Sequence, residues 1–387
     1  MPRTPLVHTM GALALTLGGA GSPAVGQTVS KLSFDTQLVG SPNPFLLPGP
    51  DRSALMVQIS AKPELKLSEQ TGSQLDLAGT VAQKWYSQHY GNYLVGDFTA
   101  AGTYRDSEHL SVDASAGFSH DLVVDELTTS IDGAVDPQSV RTAYSGRLLI
   151  KWHPNAHVQI QPELSYENSS YQNSALLRDT RIIGLALSAS KQISPFMEIG
   201  VRGRALFSKA ENTPKANSQA VYATLKWDMA EHWKLSGQLG AERTSDHIEQ
   251  LPGQTVNQPA RTALSGRGEL CRETAHGTGC LTVEATNGIS GIGGLERTIS
   301  ALASVTQKIS SRASVMGTAE YRRSTTQGNA YPSLGAFRAT AKLERQIGHN
   351  LACSALFQYQ RRQLTDGHWV SAPFGGLQLR FQPRLYD

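Results

Sequence analysis

Apolar and polar residues alternate most cleanly over Val140–Tyr166. In the first half, Val140, Thr142, Tyr144, Leu148, Ile150 and Trp152 interleave with Arg141, Ala143, Ser145, Arg147, Leu149 and Lys151. A period of two belongs to a β-strand with one apolar and one wet face. After the turn His153–Ala156, Val158, Ile160, Pro162, Leu164 and Tyr166 repeat the pattern against Gln159, Gln161, Glu163 and Ser165. Each arm exceeds the usual five or six residues of a globular strand. A length of about ten residues is what a tilted strand needs to cross a bilayer.

The same unit recurs along the chain. Leu55, Val57, Ile59, Leu65 and Leu67 alternate with Gln58, Ser60, Glu64 and Lys66, and Leu75, Leu77, Val81 and Trp85 return after a turn at Gln70–Ser73. Further hairpins turn at Asp106–His109, Ser194-Pro195, Glu231-His232, Ala275–Gly279, Ser310–Arg312 and Gly348–Asn350. The connections between hairpins are longer and polar, notably 125–138, 168–179, 210–219, 244–261 and 326–334. Short turns in step with long loops are expected of an outer-membrane barrel, with the turns in the periplasm and the loops outside. The pattern predicts an all-β, transmembrane, antiparallel up-and-down barrel of about sixteen to eighteen strands. The regular part covers 54–387. It follows a lead, 27–53, that holds a possible first strand at Leu32–Leu38 and a loop carrying Pro42, Pro44, Pro48 and Pro50.

A lumen of that strand number is too wide for side chains to fill, so the apolar face must look outward into lipid. Trp152, Phe196, Trp227 and Trp233 lie near short turns, where an interfacial aromatic girdle would sit. Hydrophobic content of 39% and a mean hydropathy of −0.29 resemble an ordinary soluble protein, because alternation dilutes the apolar signal. After the N-terminus no apolar run is long enough for a transmembrane helix. Arg3, the apolar Met10–Leu17 and the small-residue site Ala24-Val25-Gly26 read as a signal peptide over 1–26, with the mature chain starting at Gln27.

The net charge of +3 and pI of about 8.7, without Lys/Arg runs, exclude a nucleic-acid reading. The wet strand face mixes acids with a basic excess. Arg141, Arg147, Arg202, Arg204, Arg267 and Arg338 are the candidate pore-lining residues. Charge rings of this kind bias a pore towards anions; alternatively the charges pair across strands and hold the wall together. Cys271 and Cys280 could face each other across a hairpin as a disulfide, or remain two small unpaired residues. Cys353 is left over on the outward face of its strand.

No metal-ligand spacing or cofactor motif occurs. A lipid-hydrolase reading needs a Ser–His pair. His109, His120, His153 and His157 lie near Ser107, Ser119 and Ser165, but at turns and strand ends and without a G-x-S-x-G elbow, so no catalytic residue is assigned. Gly291-Ile292-Gly293-Gly294 lacks the Lys-Ser/Thr of a phosphate-binding loop.

Gly376-Leu377-Gln378-Leu379-Arg380-Phe381 resembles the closing signal of bacterial outer-membrane β-barrel proteins, with Gly376, Leu379 and Phe381 as its key positions. The family's aromatic is usually terminal, whereas Gln382–Asp387 follow here. The resemblance implies an outer-membrane location, contact with its lipids and recognition by the barrel-assembly machinery. More narrowly, Val57–Glu64 and the Ala-, Ser-, Gly- and Arg-rich strands resemble barrels found with exopolysaccharide export systems. That resemblance implies a conduit for an anionic polysaccharide, working with periplasmic export proteins. The rival expectation is a general or anion-preferring porin for small solutes. A porin should fold one long loop inward, with Thr244–Arg261 as the candidate, whereas a polymer conduit should lack a narrow fixed eyelet.

Overall fold

The computed structural model describes residues 27–383 apart from 51, 69–71, 131, 212–214, 252–253, 258–259, 290, 292–294 and 327–332. The expected signal peptide, 1–26, lies outside the described residues.

The described residues form nineteen strands. The first six are β1 (Gln27–Ser41), β2 (Ala54–Ser68), β3 (Gln74–Tyr86), β4 (Asn92–Arg105), β5 (Leu110–Leu122) and β6 (Val140–Asn155). Next come β7 (Val158–Gln172), β8 (Thr180–Ser194), β9 (Met197–Ala210), β10 (Lys215–Ala230), β11 (Trp233–Leu251) and the short β12 (Gln254–Asn257). The series ends with β13 (Arg261–Thr274), β14 (Gly277–Ile289), β15 (Leu295–Ser310), β16 (Ala313–Thr326), β17 (Leu334–Gln346), β18 (Leu351–Gln363) and β19 (Trp369–Phe381). Each strand pairs antiparallel with its chain neighbour, and β1 pairs with β19 from Phe34↔Phe381 to Gly40↔Gly375. β12 pairs with the extension of β11 outside the wall, while β11 continues to β13, so eighteen strands close the barrel. β1 is thus a full wall strand, and sixteen strands would leave a gap.

Closure follows from the solvent. Hydrocarbon offers no partner to a backbone N–H or C=O, so a sheet in lipid can have no open edge. The wall strands run from thirteen residues in β3 to nineteen in β11, so they project beyond the roughly nine to eleven residues that span the bilayer.

The two faces are sorted as the alternation predicts. Val221 and Leu264 are 67% and 66% exposed, and Val81, Leu94, Leu187, Val201, Leu239 and Leu377 stand open beside them on the outer face. Apolar side chains left this bare over the whole outer wall belong against lipid. Trp152, Phe196, Trp227 and Trp233 are also exposed, close to the short turns. Cys353 shares this outward face, opposite Leu379.

One seam interrupts the ladder. Pairing between β13 and β14 runs from Gly266↔Ala285 to Thr274↔Gly277 and stops. Beyond it, side chains take over the backbone groups. Ser265 Oγ donates to the Ala285 carbonyl (2.8 Å), Arg297 Nη2 to the Leu264 carbonyl (2.5 Å), and the Asn287 N–H to Glu242 (3.3 Å). Glu242 is fully buried and is also held by Arg204 at 3.0 Å. Below the seam Cys271 and Cys280 are directly opposed and form a disulfide.

Gly240 on β11 shows how tightly adjacent strands approach there. A Cβ at this position would lie 1.8 Å from the Val221 carbonyl oxygen, whereas one on Gly203 of β9 would meet nothing within 4 Å. Gly240→Ala is expected to lower barrel stability by about 1–3 kcal/mol, the usual range for overpacking. Gly203→Ala should be neutral or slightly stabilising. Urea unfolding midpoints in detergent, with heat-modifiable gel migration as a folding check, distinguish the two.

Candidate functional site: a segment across the lumen

Residues 123–139, between β5 and β6, enter the barrel instead of standing outside it. The sequence Val123-Val124-Asp125-Glu126-Leu127 carries apolar and acidic residues with no period of two, so it cannot continue the wall. It forms a 3₁₀ turn over Val123–Glu126 and a short helix, α1 (Asp132–Val135). Val123, Val124, Leu127 and Ala134 are buried.

Two apolar clusters receive them. Val124 packs with Leu122, Val140, Tyr90 and Phe45. Leu127 and Ala134 pack with Leu46 and with Ala336 and Ala372 of the far wall. Phe45 and Leu46 come from the proline-rich loop after β1, which therefore also folds inward. Its turn is fastened by Asn43, whose Nδ2 donates to the Leu47 carbonyl (2.7 Å) while Oδ1 accepts from the Leu47 N–H (2.9 Å). Leu46 has a φ of +53°, a left-handed conformation that costs a branched residue free energy. Arg362 Nε secures it by donating to the Leu46 carbonyl at 3.0 Å.

Polar anchors fix the crossing segment at both walls. On the near side, Arg141 binds Glu126 at 2.5 Å and Glu167 at 2.6 Å, Lys84 binds Asp125 at 2.6 Å, and the Tyr171 hydroxyl donates to Asp132 at 2.5 Å. Burial pushes the Glu126 carboxyl above the usual carboxylate range, against the pull of the Arg141 guanidinium. Asp132 also accepts from the Gly291 N–H at 2.9 Å. On the far side, beyond the β1–β19 closure, Arg338 donates to the Asp125 and Val124 carbonyls at 2.9 and 3.0 Å. Arg322 donates to the Thr129 carbonyl, Arg362 to the Ala134 carbonyl, and Thr128 to Glu320. Hydrogen bonds made by charged groups are the stronger ones.

By strand register all six candidate arginines face the lumen, and each is engaged. Arg147 and Arg202 share Glu163 at 2.8 and 3.0 Å. Arg204 holds Glu242, and Arg267 lies 3.3 Å from Glu269 and 3.9 Å from Glu284. Arg141 and Arg338 fasten the crossing segment. Cross-strand pairing is therefore the dominant state of these charges.

Two expectations are corrected. The inward segment is 123–139 and not Thr244–Arg261, because past Thr244 the chain extends β11 and folds back as β12. The basic excess of the lumen also disappears. Asp35, Asp97, Asp121, Glu273, Glu284 and Glu296 take lumen-facing positions as well, and the crossing segment adds Asp125, Glu126, Asp132 and Asp136. Of the histidine rings, His109 bonds the His153 carbonyl, His120 bonds Thr142 and His153 bonds Gln159, so none of these three is paired with a serine.

No family model and no curated protein matches the chain. Its structure is similar to several solved structures. Pseudomonas aeruginosa OccK2 (OpdF) shares 11% identity over 93% of this chain and 98% of that one, with a TM-score of 0.48; it has also been solved in complex with glucuronate. Acinetobacter baumannii OccAB1 gives 10% identity over 94% and 98%, TM-score 0.46. The Pseudomonas aeruginosa outer membrane protein OpdK gives 9% over 92% and 98%, TM-score 0.48. The closed wall, its bare apolar exterior and its wet, charged interior make this chain a transmembrane β-barrel of the bacterial outer membrane.

If Arg322, Arg338 and Arg362 hold the segment across the lumen, their loss should free it. The Arg322→Ala/Arg338→Ala variant is expected to at least double single-channel conductance in planar bilayers, with more open-channel noise. Unchanged conductance would mean the segment does not set the channel's width.

Proposed function

We propose that the protein is a general diffusion porin for small hydrophilic solutes, with 123–139 as its fixed constriction. The observation that carries this reading is the anchoring of that segment at both walls. A polymer in export needs an unobstructed path, whereas a small-solute filter needs a rigid narrow one. This contrast favours the porin over polysaccharide export.

The charge pattern supports weak rather than strong selectivity. Arg147, Arg202 and Arg267 are the arginines we assign to solute contact, because Arg147 and Arg267 keep about half of their side-chain surface exposed (53% and 51%) and Arg202 more than a quarter (28%). Each shares a carboxylate, so a passing anion meets a partly neutralised cation and leaves easily. Arg141 and Arg338 act on the constriction instead. The same logic assigns Gly376, Leu379 and Phe381 to assembly, since they sit on the last strand, which completes the wall by pairing with β1.

Three measurements test the proposal. In a salt gradient across a planar bilayer, the reversal potential is expected to stay near zero, within about a twofold anion-to-cation permeability ratio; strong anion selectivity would contradict the neutralised lumen. In liposome swelling, monosaccharide-sized solutes should enter and oligosaccharides beyond a few sugar units should not. Gene deletion that abolishes extracellular polysaccharide, with small-solute uptake unchanged, would overturn the porin reading in favour of export.

A further inference from the structure

The outer wall carries a charge pattern that the channel reading does not use. Arg181 on β8 and Lys209 on β9 are directly opposed in register, and both are exposed. Two cationic residues thus stand side by side on adjacent strands, where paired Cα atoms are only about 4.5–5.5 Å apart. Like charges directly opposed destabilise a sheet. A wall that keeps them calls for an anion from outside.

The protein does not supply one. Neither Arg181 nor Lys209 forms an ion pair among the described residues, and Arg181 instead lies 5.3 Å from the Tyr166 ring centroid. Of the nearest loop carboxylates, Asp179 accepts from the Tyr171 N–H at 3.0 Å, and neither Asp179 nor Glu211 forms an ion pair with Arg181 or Lys209. No described Asp or Glu side chain of a wall strand faces outward. Arg243, Arg323 and Arg361 take outward positions near the same rim, on β11, β16 and β18.

Position identifies the anion. One register step below, Ile183 pairs with Phe207, and Phe207 and Leu185 are exposed on the apolar band. The cluster therefore sits where that band meets the headgroups, at the long-loop end of the barrel. We propose that Arg181 and Lys209 bind the phosphate groups of an outer-leaflet glycolipid. Arginine engages a phosphate through two N–H groups and lysine as a point charge. A lipid carrying phosphates on a sugar headgroup would present both at this level while its acyl chains cover Ile183 and Phe207.

The test uses the full barrel in detergent, exchanged with diphosphoryl lipid A or its dephosphorylated form, with retained lipid counted by native mass spectrometry. The wild type is expected to retain the diphosphoryl form selectively, and Arg181→Ser/Lys209→Ser to lower retention at least fivefold. Lys191→Ser, an outward cation at the opposite end, should leave retention unchanged. The proposal fails if the double variant retains as much lipid as the wild type, if the dephosphorylated lipid binds equally, or if Lys191→Ser is equally damaging. Displacement by millimolar inorganic phosphate would overturn the lipid assignment in favour of a generic anion site. Should the double variant not migrate as a folded barrel, Lys209→Ser alone is read in the same assay, and a loss below twofold counts against the site.

Discussion

Hydrocarbon accepts no unpaired backbone group, and the architecture follows from that constraint. The β1–β19 ladder is needed because an open edge in lipid would leave a full strand of N–H and C=O groups unbonded. Closing eighteen strands makes an interior wider than wall side chains can fill. The lumen must then be wet, and anything that narrows it must come from a connection, since the wall has no material to spare. The seam beside β13 shows the rule holding where the ladder itself stops. Ser265, Glu242 and Arg297 supply hydrogen bonds to the freed backbone, and burial of Glu242 is tolerable because Arg204 and the Asn287 N–H surround it.

The same constraint sorts the charges by sign. The described carboxylates of the wall strands face water inside, whereas arginines and lysines occupy both faces. A long cationic side chain can lay its stem along apolar surface and reach the headgroups, which an Asp or Glu cannot do. Sending cations outward depletes the lumen of its basic excess, and the acids of the crossing segment remove the rest. Net charge read from the sequence therefore misstates the charge of the lumen. One redistribution gives a nearly neutral pore and a basic outer rim.

Strands and short turns were legible because period-two alternation survives wherever one face meets lipid, as in Val140–Tyr166. The Cys271–Cys280 bridge was legible in part, since both residues flank a tight turn. β1 was faint, with Thr36 interrupting its apolar face. The crossing segment was not legible. It is aperiodic, its apolar residues pack on another loop, and its far anchors, Arg322, Arg338 and Arg362, are some two hundred positions away in the chain. Nothing local in 123–139 distinguishes a loop that enters from one that stands outside. The available clue was Val123, Val124 and Leu127 in an otherwise polar connection, since a loop with buried apolar residues must have something to bury them against. Thr244–Arg261 attracted attention by length alone, and length there extends a hairpin.

Whether 123–139 acts as a lid or as a fixed ring is decided by magnitudes. Three guanidinium anchors on the far wall, each worth about 1.5–3 kcal/mol as hydrogen bonds from a charged group, exceed thermal energy several times over. Opening would also expose Leu127 and Ala134 and pull Val124 from Phe45, at about 25 cal/mol for each Å² of apolar surface returned to water. These losses add to the near-wall pairs of Arg141, Lys84 and Tyr171, which need not break for the far end to swing. A lid would concentrate its contacts at a hinge and leave its tip free. Here the tip is bonded as heavily as the base, so the open state is sparsely populated and, in the porin reading we propose, solutes are selected by a constant width.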